Sequence, residues 1–206
     1  MRTLIAFFAL ILLFFGSFRA EAQTAVPNTG LGCPDFLISG STTLTNQIIA
    51  HQNEWHFVWD TASYTSYGPT TIHVQSYDCN SFDVAGLYSR VASIAHEVGH
   101  VLYPWVIDVP QIPFISREVF IENSCAGEGR AVINNITARN EIYAFSNQSA
   151  DIGYAAANGP ELVALYNAGK TDVEIGKAFC DANVTSTTGQ NYNDYYGQIY
   201  DNLTAP

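Results

Sequence analysis

The stretch SIAHEVGHVLYP, Ser93 to Pro104, places His96, Glu97 and His100 inside the most regular apolar pattern of the chain. Val84, Leu87, Tyr88, Val91, Ile94, Ala95, Val98 and Leu102 recur at three- and four-residue spacing, which predicts one amphipathic helix. Ser81 or Asp83 can cap its start, and Pro104 ends it. On a helix, positions i and i+4 share a face about 6 Å apart along the axis. His96 and His100 therefore direct two imidazoles at one point, with Glu97 beside them. Random placement of the chain's histidines and glutamates would give HExxH in roughly one of two hundred chains of this length. The motif thus carries weight only with its context.

Two imidazoles and a carboxylate make an open zinc site, in which the fourth position is left for water or substrate. Zinc lowers the pKa of water towards 7, and a carboxylate at Glu97 can take the proton as that water attacks a carbonyl. The longer form HExxHxxGxxH is absent, since Tyr103 and Val106 stand at the later positions, and no histidine follows His100. The third ligand must then be another side chain. Glu122, Glu128, Glu141 and Asp151 lie downstream. Glu128 is preferred, because Gly127 and Gly129 on either side permit close packing against the His96 helix. Glu122 stays open as the alternative. A simple turn with an exposed acid would also explain Gly127-Glu128-Gly129.

The surrounding chain is consistent with an exported protein of one domain. Arg2, the apolar run Leu4 to Phe15 and the small residues Ala20 and Ala22 read as a signal peptide over residues 1–22. The run is too short for a membrane anchor, spanning about 18 Å against a hydrocarbon core of roughly 30 Å. Residues 23–206 would form a single domain. Without the leader the chain keeps 6 basic and 18 acidic residues, which disfavours nucleic acid as a partner. No later segment is apolar enough for stable membrane insertion. Cys33, Cys79, Cys125 and Cys180 predict two disulfides, with three pairings possible.

Further along, Trp55, Phe57 and Trp59 alternate with polar and β-branched neighbours, and Thr70 to Tyr77 reads as a strand. A second helical region begins near Ser116 and continues through CAGEGRAVINNITARNEIYAFS or gives way there to a separate helix. Two shorter helices are expected over Glu161–Ala168 and Thr171–Phe179. WVIDVPQIPF, with its two prolines, reads as a loop, and the tail NYNDYYGQIYDNL is crowded with tyrosine. Donors to a developing oxyanion would come from His73, Tyr103, Tyr192, Tyr195 or Tyr196. His51 and His56 read as structural, and Arg139 as a surface group. Asn135, Asn147, Asn183 and Asn202 open N-x-S/T sequons, which matter only in a eukaryotic source.

HEVGHVLYPW followed by CAGEGRAVINNITARNEI resembles the HExxH metallopeptidase effector domains fused to type VI secretion spike proteins. The likeness covers roughly residues 80–145. It rests on HExxH, then Glu128-Gly129-Arg130-Ala131, then Arg139-Asn140-Glu141-Ile142. It implies a zinc peptidase with His96, His100 and Glu128 as ligands and Glu97 as the catalytic acid/base. A freestanding chain with its own leader departs from that pattern, so a resident exported peptidase fits as well as a toxin, and no immunity or inhibitor partner can be named.

The expected fold is a mainly helical α+β zincin-like domain, with a small sheet packed on the HExxH helix. The expected function is zinc-dependent hydrolysis of protein or peptide substrates in a secreted or periplasmic setting. A cell-wall amidase or endopeptidase could use the same site. A non-catalytic zinc-containing binding protein is the rival of another class, and in it Glu97 would be idle.

Overall fold

A computed structural model describes residues 26–103, 112 and 114–205. The expected leader and most of the WVIDVPQIPF loop lie outside the described residues. In chain order the elements are α1 (Pro34–Ile38), α2 (Thr42–Ala50), β1 (His56–Asp60), β2 (Tyr64–Ser66), β3 (Thr71–Gln75), α3 (Val84–Leu102), α4 (Arg117–Phe145), α5 (Gly159–Asn167), α6 (Asp172–Ala182) and α7 (Tyr192–Thr204). The architecture is mainly helical α+β with one small sheet, as expected.

Helix α4 runs unbroken for 29 residues, so the second helical region does not divide. Its buried positions do not form one apolar stripe. They include Phe120, Glu128, Val132, Asn134, Ile136 and Ile142, which point to different sides. The reason is its place in the fold: α2, α3, α6 and α7 all pack on it. A helix covered on several sides needs small or satisfied polar residues around its girth rather than a single oily face. Asn134 meets that need by donating from Nδ2 to the Ala95 carbonyl of α3 at 2.7 Å and accepting from Gln47 of α2 at 2.7 Å.

Two cores lie along α4. In the first, Ile72 and Val74 of β3 meet Leu44 and Ile48 of α2, Val91, Ile94 and Val98 of α3, and Ile142 of α4. Burying each such side chain contributes about 1.5–3 kcal/mol. In the second, Phe120, Val132 and Ile136 of α4 meet Leu162, Ile175, Phe179 and Tyr196 of α5, α6 and α7. The sheet has the order β1-β3-β2. β1 runs parallel to β3, with Phe57 opposite Ile72, while β2 runs antiparallel, with Thr65 opposite Ile72. The strand expected over Thr70 to Tyr77 forms as β3, with Ile72 and Val74 fully buried.

Helix starts follow local chemistry. Asp83 caps α3 by accepting from the Gly86 amide, Ser116 caps α4 through Val119, and Thr171 with Glu174 forms a reciprocal capping box on α6. Two disulfides are present, Cys33–Cys79 and Cys125–Cys180. The first ties the start of α1 to the loop before α3, and the second staples α4 to α6. Such bridges fit an oxidising compartment. No helix among the described residues is long and apolar enough to cross a membrane. The Asn135 and Asn183 sequons are buried and cannot accept a glycan in the folded chain, whereas Asn147 and Asn202 are exposed.

The helices cross at glycines, though not as expected for all of them. A Cβ on Gly99 would stand 2.6 Å from the Ala131 Cα, so Gly99 is where α3 touches α4. Gly129 does not face α3: a Cβ there would lie 1.9 Å from the Asp172 carbonyl oxygen, so it admits α6 instead. Gly127 meets nothing within 4 Å. The contrast is testable. Gly99→Ala should lower stability by about 1–3 kcal/mol, because backbone cannot retreat from the new methyl. Gly127→Ala should leave stability unchanged or raise it by up to about 1 kcal/mol through helix propensity. Thermal melts of the two variants beside the parent protein decide between these signs.

Candidate metal centre

His96 and His100 leave α3 on the side facing α4, one turn apart, and Glu128 reaches them from α4. The Glu128 Oε2 atom lies 3.2 Å from His96 Nε2 and 3.2 Å from His100 Nε2, and the two imidazole nitrogens are 3.1 Å apart. Donors around a tetrahedral ion with bonds near 2.0–2.1 Å stand about 3.3–3.4 Å apart. The triangle therefore fits a small divalent cation. It also has the nitrogen–oxygen chemistry that suits zinc. These residues form the group among the described side chains able to hold a metal ion.

Of the four candidate acids, Glu122, Glu128, Glu141 and Asp151, the structure brings only Glu128 to the histidines. It is 2% exposed. Glu122 faces a different depression, with Ile121, Lys177 and Asp181. Glu141 caps α2, accepting from Ser41 Oγ at 2.5 Å and from the Thr43 amide at 2.9 Å. Asp151 pairs with Arg139. Arg139, whose guanidinium also lies over the rings of Tyr143 and Tyr154, makes no contact with Glu128.

Glu97 is buried, and its Oε2 accepts a hydrogen bond from Thr65 Oγ1 at 2.9 Å. Thr65 belongs to β2, so the edge of the sheet sets the direction of the carboxylate. Glu97, His100 and Glu128 open into a cleft of about 320 Å³. One wall is built from β2 and its flanks, with Ser63, Tyr64 and Tyr67; the other from Thr185 to Thr187 and from α7. The walls meet where Ser186 Oγ donates to the Ser63 carbonyl.

The five expected oxyanion donors separate clearly. His73 is spent in the sheet, with Nδ1 2.8 Å from Asp60, Nε2 3.1 Å from Ser66 and its ring stacked on Tyr64. Tyr103 follows α3, is largely exposed and does not line the cleft. Tyr196 donates to Glu128 Oε1 at 2.5 Å. Tyr192 and Tyr195 line the cleft. Burial pushes the Tyr192 hydroxyl well above its ordinary range, and Glu128 and Glu97 add to the effect. Tyr67 was not foreseen. Its hydroxyl donates to the His100 carbonyl at 3.2 Å, and burial of that end, with Glu97 and Glu128 near, pushes it up to about 12. Thr65 was missed too. Only the pairing of a three-residue strand with β3 reveals either of them. His51 and His56 stay outside the site, His51 stacking on Trp55.

Comparison of the chain with protein-family models, with curated proteins and with solved structures gave no match. The chemistry of the site therefore rests on its own geometry.

His100 shows what that geometry does to charge. Burial works against its protonated form, but the Glu128 carboxylate beside it, with Glu97 further off, outweighs burial and lifts His100 to about 9. Glu128 is pulled far below the usual carboxylate range, because both histidines more than offset its burial. Without a metal, then, His100 is protonated at neutral pH. Its contribution to folding is complete below its unfolded value near 6.5 and is lost as pH rises through about 9. A metal must displace that proton. Zinc titrated into chelator-treated protein at pH 7.5 should release about one proton per site, measured by calorimetry in buffers of different ionisation enthalpy. Apparent affinity should rise about tenfold per pH unit and level off as pH passes the folded His100 value of about 9.

Proposed function

We propose that this protein is an exported zinc-dependent peptidase of the zincin type, with His96, His100 and Glu128 as zinc ligands and Glu97 as general base. The observation that carries this reading is Glu97. A buried carboxylate adjoining the three donors, held by Thr65 and opening into the same cleft, has no use in a purely structural metal site. Held by His96, His100 and Glu128, a zinc ion would supply Lewis acidity towards a substrate carbonyl and would acidify a water. Glu97 takes the proton of that water and returns it to the departing amine. Thr65 occupies one Glu97 oxygen and leaves the other for the transfer. Tyr192 and Tyr195, whose hydroxyls have no hydrogen-bond partner among the described residues, supply donors to the developing oxyanion.

The shape of the cleft supports a peptide as substrate. β2 is an edge strand of the sheet and lines the cleft beside Glu97. An extended chain can pair with a free strand edge through its own amides and carbonyls, which delivers a peptide bond to the site in a defined orientation. The two disulfides and the leader-like residues 1–22 support action outside the cytoplasm.

Two variants test site and mechanism separately. Glu97→Ala should retain zinc yet lose about 10²–10⁴-fold in hydrolysis, since the base is gone and the ligands remain. Glu128→Ala should lose the zinc itself. Metal analysis and a panel of denatured proteins, peptides and cell-wall stem peptides provide the two readouts. A parent protein that takes up no zinc sinks the metal assignment. A fully active Glu97→Ala sinks the mechanism, and a zinc-loaded parent protein inactive on the whole panel favours the non-catalytic rival.

A further inference from the structure

Glu128 offers its two oxygens to different partners. Oε2 faces His96 and His100, each at 3.2 Å, while Oε1 accepts the Tyr196 hydroxyl at 2.5 Å. We propose that Tyr196 is a positioning residue for the metal centre: its hydroxyl holds Glu128 Oε1 so that Oε2 alone is presented to the ion. The inference rests on the metal site proposed above, but not on peptide hydrolysis.

A carboxylate on a long side chain can swing, rotate or bind an ion through both oxygens. Each of these is restricted here. Glu128 and Tyr196 are both buried, so the hydroxyl meets little competition from water. Tyr196 comes from α7, whereas Glu128 belongs to α4 and the histidines to α3, so the site draws on three helices. The Tyr196 ring is itself braced, tilted against Tyr192 at 5.9 Å and Tyr195 at 5.3 Å between centroids. Hydrogen bonds of this kind to a ligand's second atom fix its orientation and tune its affinity.

The rest of α7 is anchored without Tyr196. Tyr200 donates to the Ile115 carbonyl at 2.8 Å, and Arg117 Nε lies 3.1 Å from Asp201 Oδ1. Arg117 also packs over Gly197, where a Cβ would stand 2.0 Å from its Nη2. Removing one hydroxyl should therefore leave the helix docked. That makes Tyr196→Phe a selective probe of the Glu128 contact rather than of α7 as a whole.

The experiment is a zinc competition titration of Tyr196→Phe beside the parent protein and Tyr200→Phe, with cobalt as a spectroscopic substitute. Tyr196→Phe should weaken zinc binding about 10–100-fold. Its cobalt form should absorb more weakly per ion in the visible, as Oε1 is freed to join the coordination. Tyr200→Phe, which removes a hydroxyl of the same helix that bonds the Ile115 carbonyl instead of Glu128, should keep the parent affinity and spectrum. Parent-like affinity and cobalt absorption in Tyr196→Phe would overturn the proposal. Should Tyr196→Phe fail to fold, infrared difference spectra of the unaltered protein, zinc-loaded against chelated, decide instead. Carboxylate bands of one-oxygen binding support the inference, and bands of two-oxygen binding refute it. A parent protein that binds no zinc removes both this inference and the reading beneath it, whereas zinc binding without hydrolysis leaves the inference standing.

Discussion

The approach of α3 to α4 at Gly99 and Ala131 is the contact on which the site depends. Gly99 follows His96 by three residues, and Ala131 follows Glu128 by three, so each ligand stands about one turn from the crossing on its own helix. Side chains three apart share a face. Bringing the two backbones together at this point therefore brings imidazole and carboxylate together one turn away. The hydrogen bond from Asn134 to the Ala95 carbonyl holds the same crossing from its other side. The ligand triangle follows from how closely two helices can pass, which small residues decide.

Part of this was legible in the sequence. HExxH on a periodic apolar helix specifies two candidate ligands and a candidate base from local spacing alone, since one helix places them. Glu128 could be preferred from its neighbours, but neither Gly127 nor Gly129 packs against α3 as that preference supposed. Gly129 makes room for α6, and the glycine that admits α4 to α3 is Gly99, inside the motif itself. Glu122 was a fair rival in sequence because distance along a chain does not report direction around a helix. Six residues earlier on α4, it faces another side.

Groups supplied by other elements were much harder to read. Thr65 and Tyr67 come from a three-residue strand and its flank, too short for any alternating pattern to announce. The tyrosine-rich tail became α7 with Tyr192, Tyr195 and Tyr196 turned towards the cleft, yet nothing in its composition says which hydroxyl meets Glu128. His73 looked suitable because it shortly precedes the HExxH helix. Pairing of β3 with β1 and β2 instead surrounds it with Asp60, Ser66 and Tyr64, which use both ring nitrogens and one face.

The Cys125–Cys180 bridge joins the surroundings of two of the candidate ligands, Glu128 and His96. Cys125 sits three residues before Glu128, and Cys180 directly follows Phe179, whose ring stacks on His96 at 5.5 Å between centroids. Once that bond has closed, the segments carrying Glu128 and the packing partner of His96 can no longer diffuse apart. α3 then docks its two histidines on one joined surface rather than on two separate segments. One fewer segment has to be located, so the entropic cost of assembling the triangle falls mainly on placing α3.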